Sequence, residues 1–224
     1  MKFFFINQAK STDTRSGFLS LLSLAFLFLS PALYGQNPIF EGTEWEVLFN
    51  SKDLSGWIEI GSEEWSVDEG SILGESGAGG DGFLATERDF RNFELHVRFK
   101  VEGPGNSGVF YHTTFEDGKF ANGIQIEVDG RLNRHTGGIH EPYGRGWVAW
   151  PTPRNESVIR PDDWNDLLIR VEANHVITRL NGVEMVNFTD PRPKNRVGKI
   201  ALQVHPGGGS RIRFKDVWIR VLPE

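Results

Sequence analysis

The segment Gly123-Ile124-Gln125-Ile126-Glu127-Val128-Asp129 alternates apolar and polar residues, so it reads as a β-strand with two unlike faces. Gln125, Glu127 and Asp129 share one face, at about 7 Å between same-face neighbours. An amide and two carboxylates in such a row can recognise sugar hydroxyls, bind a cation or move protons. Two further strands place unusual polar groups on one face. In Gly108–His112, Phe110 and His112 share a face; in Lys199–His205, Gln203 and His205 lie opposite Ile200, Leu202 and Val204. If these strands are neighbours in one sheet, His112, Gln125, Glu127, Gln203 and His205 form one polar patch. Histidine suits proton transfer because its ordinary pKa lies near 6.5. A mixed His/carboxylate patch can instead hold a divalent cation that polarises a carbonyl.

Each of these residues also has a structural reading. Glu127 could pair with Arg131 or Arg134, and Asp129 could accept backbone bonds at the Asp129-Gly130 turn. His205 precedes Pro206 and could simply end a strand. His96 shares its face with Glu94, Arg98 and Lys100, which predicts a solvated side chain. His135 and His140 fall in a polar loop. Trp164 and Trp218 are expected in the core, whereas Trp147 and Trp150 lie in a loop and are candidates for stacking on a sugar ring.

Strands must position these groups. Phe93, Leu95, Val97, Phe99 and Val101 alternate with polar residues and predict a strand with one face in a core. Similar alternation predicts strands over 107–113, 123–129, 166–171, 175–180, 184–188, 199–205 and 211–222, with shorter ones near 46–49, 65–67, 71–73 and 82–86. Leu180-Asn181-Gly182-Val183 predicts a tight hairpin, because Asn-Gly accepts the positive φ of a type I′ turn. Gly74–Gly82 reads as a surface loop. Many short strands with regular turn signals and no helical period imply an all-β sandwich or jelly roll of antiparallel sheets.

The amino terminus is a separate matter. Lys2, Lys10 and Arg15 precede the apolar run Gly17–Ser30, Pro31 breaks it, and Ala32-Leu33-Tyr34-Gly35-Gln36 follows. This order is that of a secretory signal over residues 1–35, and the run is shorter than the ~20 residues of a spanning helix. Residues 36–224 then form a single domain with no further membrane span, secreted or periplasmic. Residues 1–35 carry a net +2, which leaves −8 for the remainder of a chain whose total is −6. An acidic domain is not expected to bind nucleic acid. The chain has no Cys, so an exported domain must be stabilised by its core alone. Seven Trp and 26 Gly suit a turn-rich β domain that presents aromatics to sugars.

The order of motifs resembles the bacterial 3-keto-disaccharide hydrolase family over about Trp45 to Leu222. The resemblance is carried by Leu48-Phe49-Asn50-Ser51-Lys52-Asp53-Leu54-Ser55-Gly56-Trp57, Asn106-Ser107-Gly108-Val109-Phe110, Thr136-Gly137-Gly138-Ile139, Gly198–His205 and Phe214-Lys215-Asp216-Val217-Trp218-Ile219. It implies a concanavalin A-like lectin/glucanase sandwich and action on glycosides already oxidised at C3. The chain departs from the family pattern at Gln125 and Glu127, whose order is inverted, and at His112 and His140, where the family commonly has Arg and Tyr. A C3 ketone acidifies the C2 proton, so the implied route is proton abstraction, β-elimination of the C1 substituent and rehydration. That route needs a base and a group that stabilises the enolate oxygen, not the paired carboxylates of ordinary glycosidases. On this view Glu127 or His205 is the base, and His112 or His140 assists the enolate oxygen or leaving group. Gln125, Gln203 and Asn106 bind substrate, with Trp147 and Trp150 stacking on it. The chain has no dinucleotide fingerprint, so a separate 3-dehydrogenase would supply the oxidised sugar. Two other readings use the same residues: a non-catalytic, lectin-like carbohydrate-binding domain, and a structural domain whose polar patch binds Ca²⁺.

Overall fold

The computed structural model describes residues 44–77, 79–206 and 209–224, all within one compact unit. The leader read at residues 1–35 lies outside the described residues. No helix among the described residues is long and apolar enough to cross a membrane.

Two antiparallel sheets account for nearly all the regular structure. The first contains β1 (Glu46–Val47), β3 (Glu64–Asp68), β4 (Ser71–Glu75), β6 (Phe93–Glu102), β11 (Asn165–Glu172), β12 (His175–Leu180), β13 (Val183–Thr189) and β15 (Arg211–Val221). Their order is β13-β12-β11-β6-β15-β4-β3, with β1 also pairing β15. The second contains β2 (Trp57–Ile60), β5 (Gly82–Phe90), β7 (Ser107–Glu116), β8 (Lys119–Val128), β9 (Ile139–Glu141), β10 (Gly146–Ala149) and β14 (Gly198–Val204), in the order β10-β9-β8-β7-β14-β5-β2. A 3₁₀ turn over Pro153–Val158 follows β10. This is the jelly-roll sandwich that the alternation implied.

The core lies between the sheets because each strand turns alternate side chains inward. Phe93, Leu95, Val97 and Phe99 of β6 face Val109 of β7, Ile126 and Val128 of β8, and Ile200, Leu202 and Val204 of β14 within one apolar cluster. Burying each such side chain contributes about 1.5–3 kcal/mol. The Asn181-Gly182 hairpin forms as expected: both residues have positive φ and Leu180 pairs with Val183. The strands that alternation does not reveal are β2, β9 and β10, which have three or four residues and too few positions to show a period.

Parity also creates a second apolar cluster. Phe83 and Ala85 on β5, Phe110 on β7 and Ala201 on β14 alternate with core residues and so meet on the outer face of the second sheet. Phe115 and Phe120 pack against them. The polar strand faces described above open onto this same outer surface.

Two sequence expectations are corrected here. His96 is not solvated but fully buried, with Nδ1 at 3.1 Å from the Asp216 carbonyl and Nε2 at 3.3 Å from Asp166 Oδ1. His112 does not share the outer face with Phe110. The β7–β8 register shifts between Tyr111 and Thr114, and His112 has φ +50 there. A bulge re-aims the side chain it carries. The His112 ring packs edge-on to Phe93 and Tyr111, with Nε2 at 2.7 Å from the Arg91 carbonyl and Nδ1 at 3.2 Å from the Asn195 carbonyl.

Candidate functional site

A cleft of about 230 Å³ opens on the outer face of the second sheet. Its floor is aromatic. Phe83 and Phe110 meet edge to face at 5.2 Å between ring centroids, and Phe120 lies 5.5 Å from both. Gln125, His140, Gln203 and His205 form the polar wall, and Asp81, Pro142 and Tyr143 complete the rim.

Pairing brings these groups together. Gln125 of β8 stands opposite Phe110 of β7 on one side and His140 of β9 on the other. Ala201 of β14 faces Phe110 across the next interval, and Gln203 lies two residues on, opposite Phe83 of β5. Gly108 is needed in this row: a Cβ there would lie 2.7 Å from Gln125 Cγ and 2.9 Å from Phe110 Cε2. The absent side chain is the space that Gln125 fills.

Glu127 lies one position behind Gln125 and is buried. Asn106 Nδ2 donates to its Oε1 at 2.9 Å, and Gln125 Nε2 donates to its Oε2 at 3.0 Å. Among the described residues no cation pairs with it. Arg131 instead binds Asp129, Nε to Oδ1 at 2.9 Å and Nη2 to Oδ2 at 2.6 Å, and the Arg131 backbone N–H caps the same carboxylate. Asp129 is therefore the turn residue. Burial pushes the Glu127 carboxyl up to about 7; the Asn106 hydrogen bond opposes that, and the negative charge of Asp129 adds to it.

The amides are oriented by their partners. Gln125 gives Nε2 to Glu127 and, at 3.4 Å, to the Ser107 carbonyl, so Oε1 is the atom left for a ligand. Gln203 gives Nε2 to Asp81 Oδ1 at 3.1 Å, and its buried Oε1 has no hydrogen-bond partner among the described residues. His205 sits exposed on the rim with Nδ1 at 2.7 Å from the Pro206 carbonyl. In the neutral ring this makes Nδ1 the donor and leaves Nε2 as the basic nitrogen. Burial lowers the pKa of His140, against the opposing charge of Glu141, so its ring is neutral at pH 7 and carries one N–H. The wall thus presents several acceptors and few donors, which matches a polyol.

Of the residues selected from sequence, Gln125, Gln203, His140 and His205 line the cleft. Glu127 and Asn106 stand behind Gln125, and His112 is elsewhere. Trp147 pairs with His140 across β9–β10, with rings 5.2 Å apart, and stacks on the exposed Trp150 at 4.3 Å. The tryptophans therefore extend the His140 side of the cleft. Among the described residues, no three His, Asp or Glu side chains converge as a metal site. Sequence reasoning missed Asp81, Phe83, Phe120 and Tyr143. Phe83 has a legible signal, since it alternates with Leu84. Asp81 and Tyr143 are loop residues brought to the rim by long-range packing.

The family model described as a 3-keto-alpha-glucoside-1,2-lyase-like domain matches residues 44–220. A 3-keto-disaccharide hydrolase of Bacteroides thetaiotaomicron is 35% identical over 74 residues, which are 29% of this chain and only 26% of that relative. Among solved structures, a candidate glycosyl hydrolase from Parabacteroides distasonis superposes with TM-score 0.64 at 21% identity, covering 80% of this chain and 94% of that one. A carbohydrate-binding module from Bacillus subtilis gives TM-score 0.58 at 18% identity, covering 77% and 99%. These two likenesses show the sandwich fold.

Proposed function

This chain belongs to the 3-keto-alpha-glucoside-1,2-lyase-like family, and from that premise we propose that it cleaves glycosides carrying a ketone at C3. His205 Nε2 removes the C2 proton, and the electron pair forms an enolate whose oxygen is the former ketone oxygen. That oxygen accepts the N–H of His140. The enolate re-forms the ketone as the C1–O bond breaks, and the leaving oxygen takes the proton from His205. Water then adds across C1=C2, placing OH on C1 and H on C2. The sum is hydrolysis with no change of oxidation state.

The observation that carries this reading is that two imidazoles, His140 and His205, line one cleft together with the side-chain amides of Gln125 and Gln203. A sugar's hydroxyls satisfy the acceptors, and the one group that cannot donate, the ketone, is left to His140. Glu127 holds Gln125 and Asn106 and stands behind the cleft as a carboxyl poised near neutrality. On this reading the order of basic and apolar residues over 1–35 supports a secreted or periplasmic site of action, and a separate dehydrogenase would oxidise C3.

Incubating the domain with a 3-keto-glycoside and with its unoxidised parent, with and without EDTA, tests the proposal. Cleavage of the keto form alone is expected. Cleavage of neither, with the parent still bound, would favour the second reading, a carbohydrate-binding domain. The Trp147–Trp150 stack beside the cleft is the observation in that reading's favour. Loss of cleavage in EDTA would assign the polarising role to a cation.

A further inference from the structure

Gln203 is 5% exposed, lines the cleft, and has a buried carbonyl oxygen with no hydrogen-bond partner among the described residues. A buried acceptor left unpaired is costly, by more than a made hydrogen bond returns. The reason it stays in this orientation is Asp81. An ionised carboxylate only accepts, so Gln203 must turn Nε2 toward Asp81 Oδ1, and Oε1 is thereby directed away from it. The other carboxylate oxygen of Asp81 receives the Tyr143 hydroxyl at 3.3 Å. Tyr143 follows β9 and Asp81 precedes β5, with β8, β7 and β14 between those strands, about 19 Å at the usual spacing. The Tyr143–Asp81 contact therefore bridges the rim from one side to the other.

We propose that Asp81 is a positioning residue that makes Gln203 an obligate acceptor, and that this creates a subsite for a hydroxyl donor of the sugar. The inference rests on the sugar-cleft reading above and refines it. The subsite cannot take the C3 ketone, because ketone and amide oxygens would both be acceptors. The C3 oxygen must therefore lie away from Gln203, and one of the C2, C4 or C6 hydroxyls must lie against it.

The test is binding, followed by NMR titration, of methyl α-D-glucopyranoside and its 2-, 4- and 6-deoxy and deoxyfluoro analogues. At one ring position, both the deoxy and the fluoro analogue should bind about tenfold more weakly, since neither can donate to Oε1. In Asp81→Ala the Gln203 amide is free to turn over. The fluoro penalty at that position should fall to about twofold or less. Asp81→Asn can still present its Oδ1 to Gln203 Nε2, and should restore the wild-type pattern. Gln203→Met should abolish the penalty with Asp81 intact, which keeps the test independent of the loop's own folding. Equal binding of all analogues by the wild type, or an unchanged pattern in Asp81→Ala, would overturn the assignment while leaving the sugar cleft standing. No binding of any glucoside, keto or parent, would overturn both.

Discussion

Glu127 and Asp129 lie two residues apart on one face of the same strand end, yet Asp129 holds the Arg131 guanidinium through two hydrogen bonds while the partners of the Glu127 carboxyl among the described residues are the neutral amides of Asn106 and Gln125. One carboxylate is neutralised, and its neighbour is left desolvated. The result is a carboxyl near pKa 7 beside the cleft, adjacent to one that serves a turn.

This arrangement has a stability consequence with a defined sign. The folded-state pKa of Glu127, about 7, lies above its ordinary 4.5. The folded state therefore binds more protons than the unfolded one between these values, and stability is lost as pH rises from about 4.5 through 7. The loss is about 3 kcal/mol. Glu127→Gln removes it. Urea unfolding of both proteins from pH 4.5 to 8 should show the variant gaining on the wild type as pH rises. A constant difference would place Glu127 in a solvated setting.

His205 and Glu127 are separable as bases. His205→Ala is expected to lower kcat by about 10²–10⁴, while Glu127→Gln should act mainly through Gln125 and change kcat much less. If Glu127→Gln is the more damaging on a 3-keto-glycoside, the proton goes to the carboxylate and the assignment of His205 is wrong.

His140 is expected to act as a neutral donor. His140→Ala should lower kcat by about 10²–10³. Because burial holds its pKa below the ordinary 6.5, its neutral form persists to lower pH than that of a free histidine. Following the His140 ring by NMR across pH 4–8 should give a midpoint below 6.5; a midpoint above it would make the imidazolium the working form.

The floor is tested at Phe110, which is fully buried under the polar wall and in edge-to-face contact with Phe83 and Phe120. Phe110→Ala should cost about 3–5 kcal/mol, a core-like penalty on an outer face. Denaturant unfolding measures it, and a cost under 1 kcal/mol would mean the floor collapses freely.

Gly108→Ala is a sharper probe. The new methyl would meet Gln125 Cγ and Nε2 at 2.7 and 2.8 Å, so the Gln125 side chain must shift from its present place. Sugar binding should weaken by about tenfold or more with far less effect on stability than Phe110→Ala. Titration with a glycoside would show this, and unchanged affinity would remove Gln125 from the recognition surface.

How much of this was legible beforehand follows from the range of the forces involved. Alternation is local, so the faces of β6, β8 and β14, the core, the hairpin at Asn181-Gly182 and the polar faces that carry Gln125, Glu127, Gln203 and His205 could be read from residue types, though not that these faces are neighbours. The motif order likewise pointed to the family and the sandwich. Three things depended on contacts distant in sequence. The register shift after Tyr111 turned His112 toward the Arg91 and Asn195 carbonyls, because a bulge is set by strand pairing and not by the residue it displaces. Arg131 chose Asp129 over Glu127, and burial then left Glu127 near pKa 7. Asp81 and Tyr143 reached the cleft from loops on opposite sides of the sheet, where no period exists to reveal a side chain's direction. The sequence by itself determined which faces are polar and which are buried. Only tertiary packing decided which polar groups meet and which are neutralised.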